Sequence, residues 1–283
     1  MDPIPSMPGI DRYTIDLLMK EVDKLYSLGI RAIDLFCLVP QERKDSLGSE
    51  ALRRGNLLQE SIQAVKAHLP SMCVMVDIAL DPYTEHGHDG VLDELGDVDN
   101  DATLEVLAEM SLLAAEAGAD IVAPSDMMDG RVAAIRQTLD SHGYTNVNIL
   151  SYTAKYASSF YGPFRDALES APKKGDKKTY QMNPANRREA IYECLLDQSE
   201  GADMLLVKPA LPYLDVIHVL KEHTPLPVGA YHVSGEYSMV MAADEKGWID
   251  ADAVFLESLT SIKRAGADFI FTYAAKRIAP LLI

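Results

Sequence analysis

Apolar positions fall into short continuous runs separated by longer amphipathic stretches. The runs lie near 31–37, 72–79, 120–124, 147–152, 203–207, 227–231 and 268–273. Continuous apolar runs, rather than alternating ones, predict parallel strands covered on both faces. The stretches between them hold roughly 20–50 residues, room for a crossover helix. A junction recurs at three of these transitions: Ala117-Gly118-Ala119-Asp120, Glu200-Gly201-Ala202-Asp203 and Ala265-Gly266-Ala267-Asp268. A weaker copy stands at Leu28-Gly29-Ile30. Each predicts a helix closed by glycine, where positive φ is cheap, and then a buried strand. Strand and helix therefore alternate along one undivided chain. That predicts an α/β fold, either a TIM barrel or a doubly wound sheet. With no Pro/Ser-rich linker, the expectation is one domain over residues 1–283.

Composition narrows the partners. The 283 residues carry a formal charge of −17, which argues against nucleic acid or an anionic membrane surface. No apolar run reaches the length of a membrane span. Cys37, Cys73 and Cys194 are far apart and form no CxxC pair, as expected in a reducing compartment. The start, Met1-Asp2-Pro3-Ile4-Pro5, has no basic or apolar leader pattern, so the expected location is cytoplasmic.

Chemistry in both α/β architectures gathers at the carboxyl ends of the strands. Those ends carry Asp77, Ser125, Lys155, Lys208, Ser234 and Tyr273. Lysine abutting a buried strand is unusual, because desolvating an ammonium is costly. Two of them, Lys155 and Lys208, end consecutive predicted strands. Like-charge repulsion and burial would each favour the neutral amine, a nucleophile suited to Schiff-base chemistry on a ketone or aldehyde. Arg165 follows closely, and Lys173-Lys174-Gly175-Asp176-Lys177-Lys178 concentrates positive charge in an acidic chain. This stretch, within about 170–185, predicts either a solvated loop or a lid that captures a carboxylate. The segment from Asp77 to Gly90 holds Asp81, His86, His88 and Asp89 but no cysteine. It offers little to zinc; its oxygens would suit a hard cation such as Mg²⁺.

Several longer stretches carry a specific resemblance: Leu150-Ser151-Tyr152-Thr153-Ala154-Lys155-Tyr156-Ala157-Ser158, Phe160-Tyr161-Gly162-Pro163-Phe164-Arg165-Asp166 and Met204-Leu205-Leu206-Val207-Lys208-Pro209. Ala123-Pro124-Ser125-Asp126-Met127-Met128-Asp129-Gly130-Arg131 and Tyr231-His232-Val233-Ser234-Gly235-Glu236-Tyr237 extend it over essentially the whole chain. The chain resembles the porphobilinogen synthase, or 5-aminolevulinate dehydratase, family. The resemblance implies a TIM (β/α)8 barrel that joins two molecules of 5-aminolevulinate into porphobilinogen, with loss of two waters, in tetrapyrrole and haem synthesis. It implies that Lys208 forms the imine with the substrate of the propionate side, and Lys155 the imine with that of the acetate side. It implies that Arg165, Lys177 and Gln181 hold one substrate carboxylate and Ser234 and Tyr273 the other, with Asp77 and Ser125 lining the pocket near the amines.

The chain departs from the family pattern in three ways. Ala79, Asp81 and Asp89 stand where zinc-dependent members have cysteines, so the resemblance is to the zinc-independent branch, with Asp81 and Asp89 as possible Mg²⁺ ligands. Glu193 corresponds to the glutamate of the family's allosteric Mg²⁺ site. Lys177 replaces an arginine found in many members, keeping charge but losing the bidentate fork. Finally, the family's N-terminal arm and first barrel strand would precede Pro5-Ser6-Met7-Pro8-Gly9; the expectation is a barrel of seven strands with two edges, lacking the arm that supports a homo-octamer. Two other readings stand beside this one. A class I Schiff-base aldolase would need one imine lysine, and a non-catalytic barrel subunit would need none.

Overall fold

The computed structural model describes residues 1–173 and 175–282. It opens with a short antiparallel pair, β1 (Asp2–Pro3) and β2 (Asp11–Arg12), followed by α1 (Ile15–Ser27) and β3 (Ala32–Leu35). The chain then alternates: α2 (Leu57–His68), β4 (Cys73–Ile78), α3 (Asn100–Ala117), β5 (Ile121–Pro124), α4 (Arg131–Ser141) and β6 (Asn148–Lys155). Two helices, α5 (Gly162–Leu168) and α6 (Arg188–Glu200), precede β7 (Met204–Lys208), α7 (Leu214–His223) and β8 (Val228–His232). The last elements are α8 (Ser234–Glu245), α9 (Ala251–Ala265), β9 (Phe269–Thr272) and α10 (Ala275–Ile278). Strands β3 to β9 form one parallel sheet in chain order, the arrangement of a (β/α) barrel.

The predicted strands fall within a residue or two of these, with one correction. The strand expected at 147–152 continues to Lys155, because pairing with β7 resumes at Ala154↔Val207 and Lys155↔Lys208 after an irregularity. Lys155 therefore closes β6 rather than following it. The β1–β2 pair was not anticipated, since two-residue strands leave no pattern in the sequence.

The repeated junction proves to do two jobs. Gly118 and Gly201 close α3 and α6 at φ 104° and 101°, in the left-handed region that glycine adopts without strain. The aspartate two residues later reaches sideways. Asp120 accepts the backbone N–H of Val74, Asp203 that of Ile149, and Asp268 that of Val228, at 2.8, 2.8 and 2.7 Å. Each aspartate thus satisfies a donor at the start of the neighbouring strand, which would otherwise lack a partner. Lys66 and Lys221 neutralise Asp120 and Asp268 at 2.8 Å.

Side chains separate into two layers. Val74, Val76, Ile149, Leu205 and Val207 point outward and pack under the helices. Met75, Leu150, Tyr152, Leu206 and Tyr231 point inward and fill the barrel. Each fully buried aliphatic of this kind contributes about 1.5–3 kcal/mol. Among the described residues, β3 and β9 are each paired on one side only. Ile33, Phe36, Leu150, Met204 and Phe271 line a largely apolar cavity of about 670 Å³ between them. The carboxyl ends of β4 to β7 converge instead on a small polar pocket.

Candidate active site

Lys208 and Lys155 are the terminal residues of adjacent strands and sit directly opposite each other in register. Both are buried. The Nζ of Lys208 lies 4.7–5.2 Å from the centroids of Tyr152, Tyr161, Phe164 and Tyr231. Burial among these rings, followed by the charge of Lys155, lowers its pKa to about 8, against the opposing pull of Asp77 and Asp34. A substantial neutral-amine population near neutral pH is what a Schiff-base nucleophile needs.

Lys155 is held differently. Its Nζ donates to the backbone carbonyl of Ser125 and forms an ion pair with Asp89 at 3.4 Å. Asp89 is shared with Lys177, whose Nζ lies 2.7 Å from Asp89 and 3.2 Å from Asp81. Burial alone would raise the Asp89 carboxyl, but Lys155 and Lys177 outweigh it and hold Asp89 well below the usual carboxylate range. Burial likewise works against the Lys177 ammonium, and Asp81 and Asp89 reverse the balance and raise its pKa. The lysine-rich segment is thus more than a solvated loop: Lys177 and Gln181 are buried in the site, while Lys173 and Lys178 remain exposed. Lys174 lies outside the described residues.

Asp77, Asp81, Ser125, Lys155, Arg165, Lys177, Gln181 and Lys208 surround one cavity. Its volume is about 20 Å³, room for a water and little more. Lys177 and Gln181 line it together with the two amines. Asp77 has a buried oxygen without a hydrogen-bond partner, and burial raises its pKa to about 6 despite both lysines. Arg165 adds a part-exposed positive charge from α5. Ser234 and Tyr273 stand one layer back. The Ser234 hydroxyl accepts from Phe164 N–H at 3.0 Å, and the Tyr273 hydroxyl meets that of Tyr231 at 3.3 Å.

The acidic segment resolves into separate contacts. His88 Nδ1 meets the Tyr180 hydroxyl at 3.1 Å, and His86 Nε2 meets the Ser46 carbonyl at 3.2 Å. Among the described residues, no three histidine, cysteine, aspartate or glutamate side chains gather as a metal site. Glu193 lies on α6, away from the amines; burial, then Asp197, Glu189 and Asp129, raises its pKa to about 7 against Arg131.

The aromatic enclosure of Lys208 is the part that sequence reasoning missed. Tyr152 and Tyr231 occupy inward positions of β6 and β8, three residues before Lys155 and Ser234, which were already singled out. Inward aromatic residues near a strand-end lysine were the available signal. Asp34, whose carboxyl oxygens are buried without partners, is a second omission; burial and Asp77 raise its pKa well above the normal value.

Comparison with known proteins decides the relationship. The family model described as delta-aminolevulinic acid dehydratase matches residues 1–281. The chain belongs to the delta-aminolevulinic acid dehydratase family. Its relatives include the Chlamydia pneumoniae delta-aminolevulinic acid dehydratase, 52% identical over 99% of this chain and 84% of that protein. The chloroplastic delta-aminolevulinic acid dehydratase 1 of Arabidopsis thaliana is also 52% identical, over 99% of this chain and 65% of its own length. A crystal structure of the Toxoplasma gondii enzyme with its reaction product porphobilinogen superposes with a TM-score of 0.98. It is 53% identical and is matched over 99% of this chain and 80% of its own. The family's TIM-barrel fold is therefore the fold of this chain.

Proposed function

We propose that this protein is a lyase that condenses two molecules of 5-aminolevulinate into porphobilinogen with loss of two waters, in porphyrin and haem synthesis. The observation that carries the reading is the pair of buried lysines in register on β6 and β7, in a chain of this family. The neutral amine of Lys208 adds to the ketone of one substrate, and loss of water leaves an imine. Lys155 does the same with the second substrate. Carbon–carbon bond formation joins the two bound molecules. Attack of the first substrate's amine on the imine carbon of the second closes the ring and displaces Lys155, and loss of a proton from the new ring expels Lys208 from the carbon that accepted the carbon–carbon bond, so both lysine amines return free. The two imine steps account for both waters, and no oxidant is needed.

Other side chains divide the remaining work. Asp77, with its pKa near 6, can exchange protons with the carbon acids formed next to the imines. Arg165, Lys177 and Gln181 hold the carboxylate of the second substrate, and Ser234 and Tyr273 that of the first. Because Lys177 and Gln181 occupy the pocket, the segment of about 170–185 must open to admit substrate and then close again. Release of porphobilinogen by the purified chain, and its loss in Lys208→Met, tests the proposal.

Asp81 and Asp89 do not fit a resident cation in this arrangement, because Lys177 and Lys155 already engage them. Their proposed role is to hold those ammonium groups. Zinc has no thiolate to bind there. Glu193 fits Mg²⁺ better: burial and the charges of Asp197, Glu189 and Asp129 push its carboxyl up to about 7, and a divalent ion, which keeps several waters and needs one or two carboxylates, would relieve that. There the ion would supply charge neutralisation beside α6, outside the catalytic pocket. We further propose a cytoplasmic homo-oligomer, up to the octamer, which sedimentation of the purified chain would reveal. No helix among the described residues is long and apolar enough to cross a membrane.

A further inference from the structure

Strand parity creates a problem that the molecule has to solve. Leu150 pairs with Met204, and Lys155 with Lys208. β6 covers this interval in five steps and β7 in four. Alternation along β7 is regular: Leu205 and Val207 point out to the helices, while Leu206 and Lys208 point into the barrel. Five regular steps along β6 would turn Lys155 outward, away from Lys208. A β-bulge between Ser151 and Ala154 absorbs the extra residue. Thr153 and Ala154 both point outward there, the first to α6 and the second into the outer core. Lys155 then points inward.

A buried polar network grips this bulge from outside the barrel. One oxygen of Asp197, on α6, accepts from Ser151 Oγ and Thr153 Oγ1, each at 2.7 Å. Arg131, at the start of α4, donates to Ser151 Oγ at 3.0 Å and to the Tyr152 carbonyl at 3.4 Å. Asp126 and Asp197 flank its guanidinium at 3.7 and 3.6 Å. All of these side chains are buried, and none reaches the catalytic cavity. A buried carboxylate with two hydroxyl donors is a strong and directional anchor, and an unsatisfied one is costly.

We propose that Asp197 and Arg131, acting through Ser151 and Thr153, are positioning residues that hold the β6 bulge and so aim Lys155 at Lys208. The inference rests on the two-lysine reading of the function. It separates the two imine sites: the network hydrogen-bonds the strand of Lys155 and none of β7, and it meets the surroundings of Lys208 only through the Tyr152 carbonyl.

The test is borohydride trapping with 5-aminolevulinate, followed by peptide mapping, in Thr153→Val and Asp197→Asn. Thr153→Val keeps the branched shape and removes one donor; Ser111→Ala, which removes a buried hydroxyl bonded only within α3, is the control for general destabilisation. The expected result is a Lys208 adduct at wild-type yield and a Lys155 adduct reduced at least tenfold in Thr153→Val, with the control unchanged. Wild-type yields at both lysines, or parallel loss at both, would overturn it. If Asp197→Asn does not fold, Thr153→Val still decides the point. If the wild type traps no adduct at all, the function reading fails instead. A crystal structure of Thr153→Val then decides the geometry: Lys155 turned away from Asp89 supports the inference, and Lys155 unmoved refutes it.

Discussion

Replacing Lys155 by methionine should leave Lys208 reactive but move its reaction to higher pH. Lowering a lysine from its ordinary value of 10.5 to about 8 raises its neutral fraction at pH 7 from about one in three thousand to about one in eleven. Burial is the larger cause, and Lys155 is the second. A full charge about 4 Å away in a medium of effective dielectric about 20 is worth about 4 kcal/mol. That is the ceiling; Asp89 stays in the variant, so the Lys155 charge alone is what changes, and as the lesser of the two causes of a drop from 10.5 to about 8 it is put on the order of one pH unit, about 1.4 kcal/mol. Methionine keeps the volume, and Asp89 keeps Lys177 at 2.7 Å, so no carboxylate is stranded. The assay is borohydride trapping at a series of pH values, read by intact mass. Wild type should reach half its maximal Lys208 trapping rate near pH 8, rising with pH because only the neutral amine reacts. The variant should carry one adduct per chain, with its midpoint about one pH unit higher. A midpoint that stays put or moves down would refute the repulsion argument; no adduct on a folded variant would refute the independence of Lys208.

Asp77→Asn should stabilise the fold while abolishing turnover. A buried carboxyl raised from 3.8 to about 6 destabilises the folded state as pH climbs through that interval, by about 3 kcal/mol at neutrality. Thermal melts at pH 7 and pH 4 should therefore show a gain at the higher pH only. Lys177→Ala should do the reverse, costing about 3–5 kcal/mol by leaving Asp89 buried with only the longer Lys155 contact. In the wild type, stability held by Asp89 is present above the unfolded carboxyl range and lost as pH falls below about 4. Arg165→Ala, on a part-exposed residue, should raise KM about tenfold with a nearly unchanged melt. Stimulation by Mg²⁺ should fade as pH drops below about 7, where Glu193 takes up a proton, and vanish in Glu193→Gln.

The strand positions were legible because each is a continuous apolar run, and the helix ends because glycine marks them. Both lysines stood out for the same reason: an ammonium at the end of such a run has to be explained. Parity was hidden, since a continuous run gives no alternation from which to count. The β6 bulge, and with it the inward aim of Lys155, was therefore invisible in Ile149-Leu150-Ser151-Tyr152-Thr153-Ala154. The aspartate of the junction repeat was visible as a pattern, yet its role needed the neighbouring strand to be in view. The lysine-rich segment is a case of composition pointing both ways. Its charge suggests solvent, and only the fold brings Lys177, and none of its described neighbours in the lysine-rich stretch, onto Asp81 and Asp89.

The central claim is that two lysines of one chain each form an imine with substrate. Wild-type protein trapped with 5-aminolevulinate and borohydride, digested and mapped, tests it most directly. The account predicts reduced adducts on both Lys208 and Lys155, carried by the same protein molecules. An adduct confined to one lysine, with the other unmodified under conditions where porphobilinogen is being made, would contradict it.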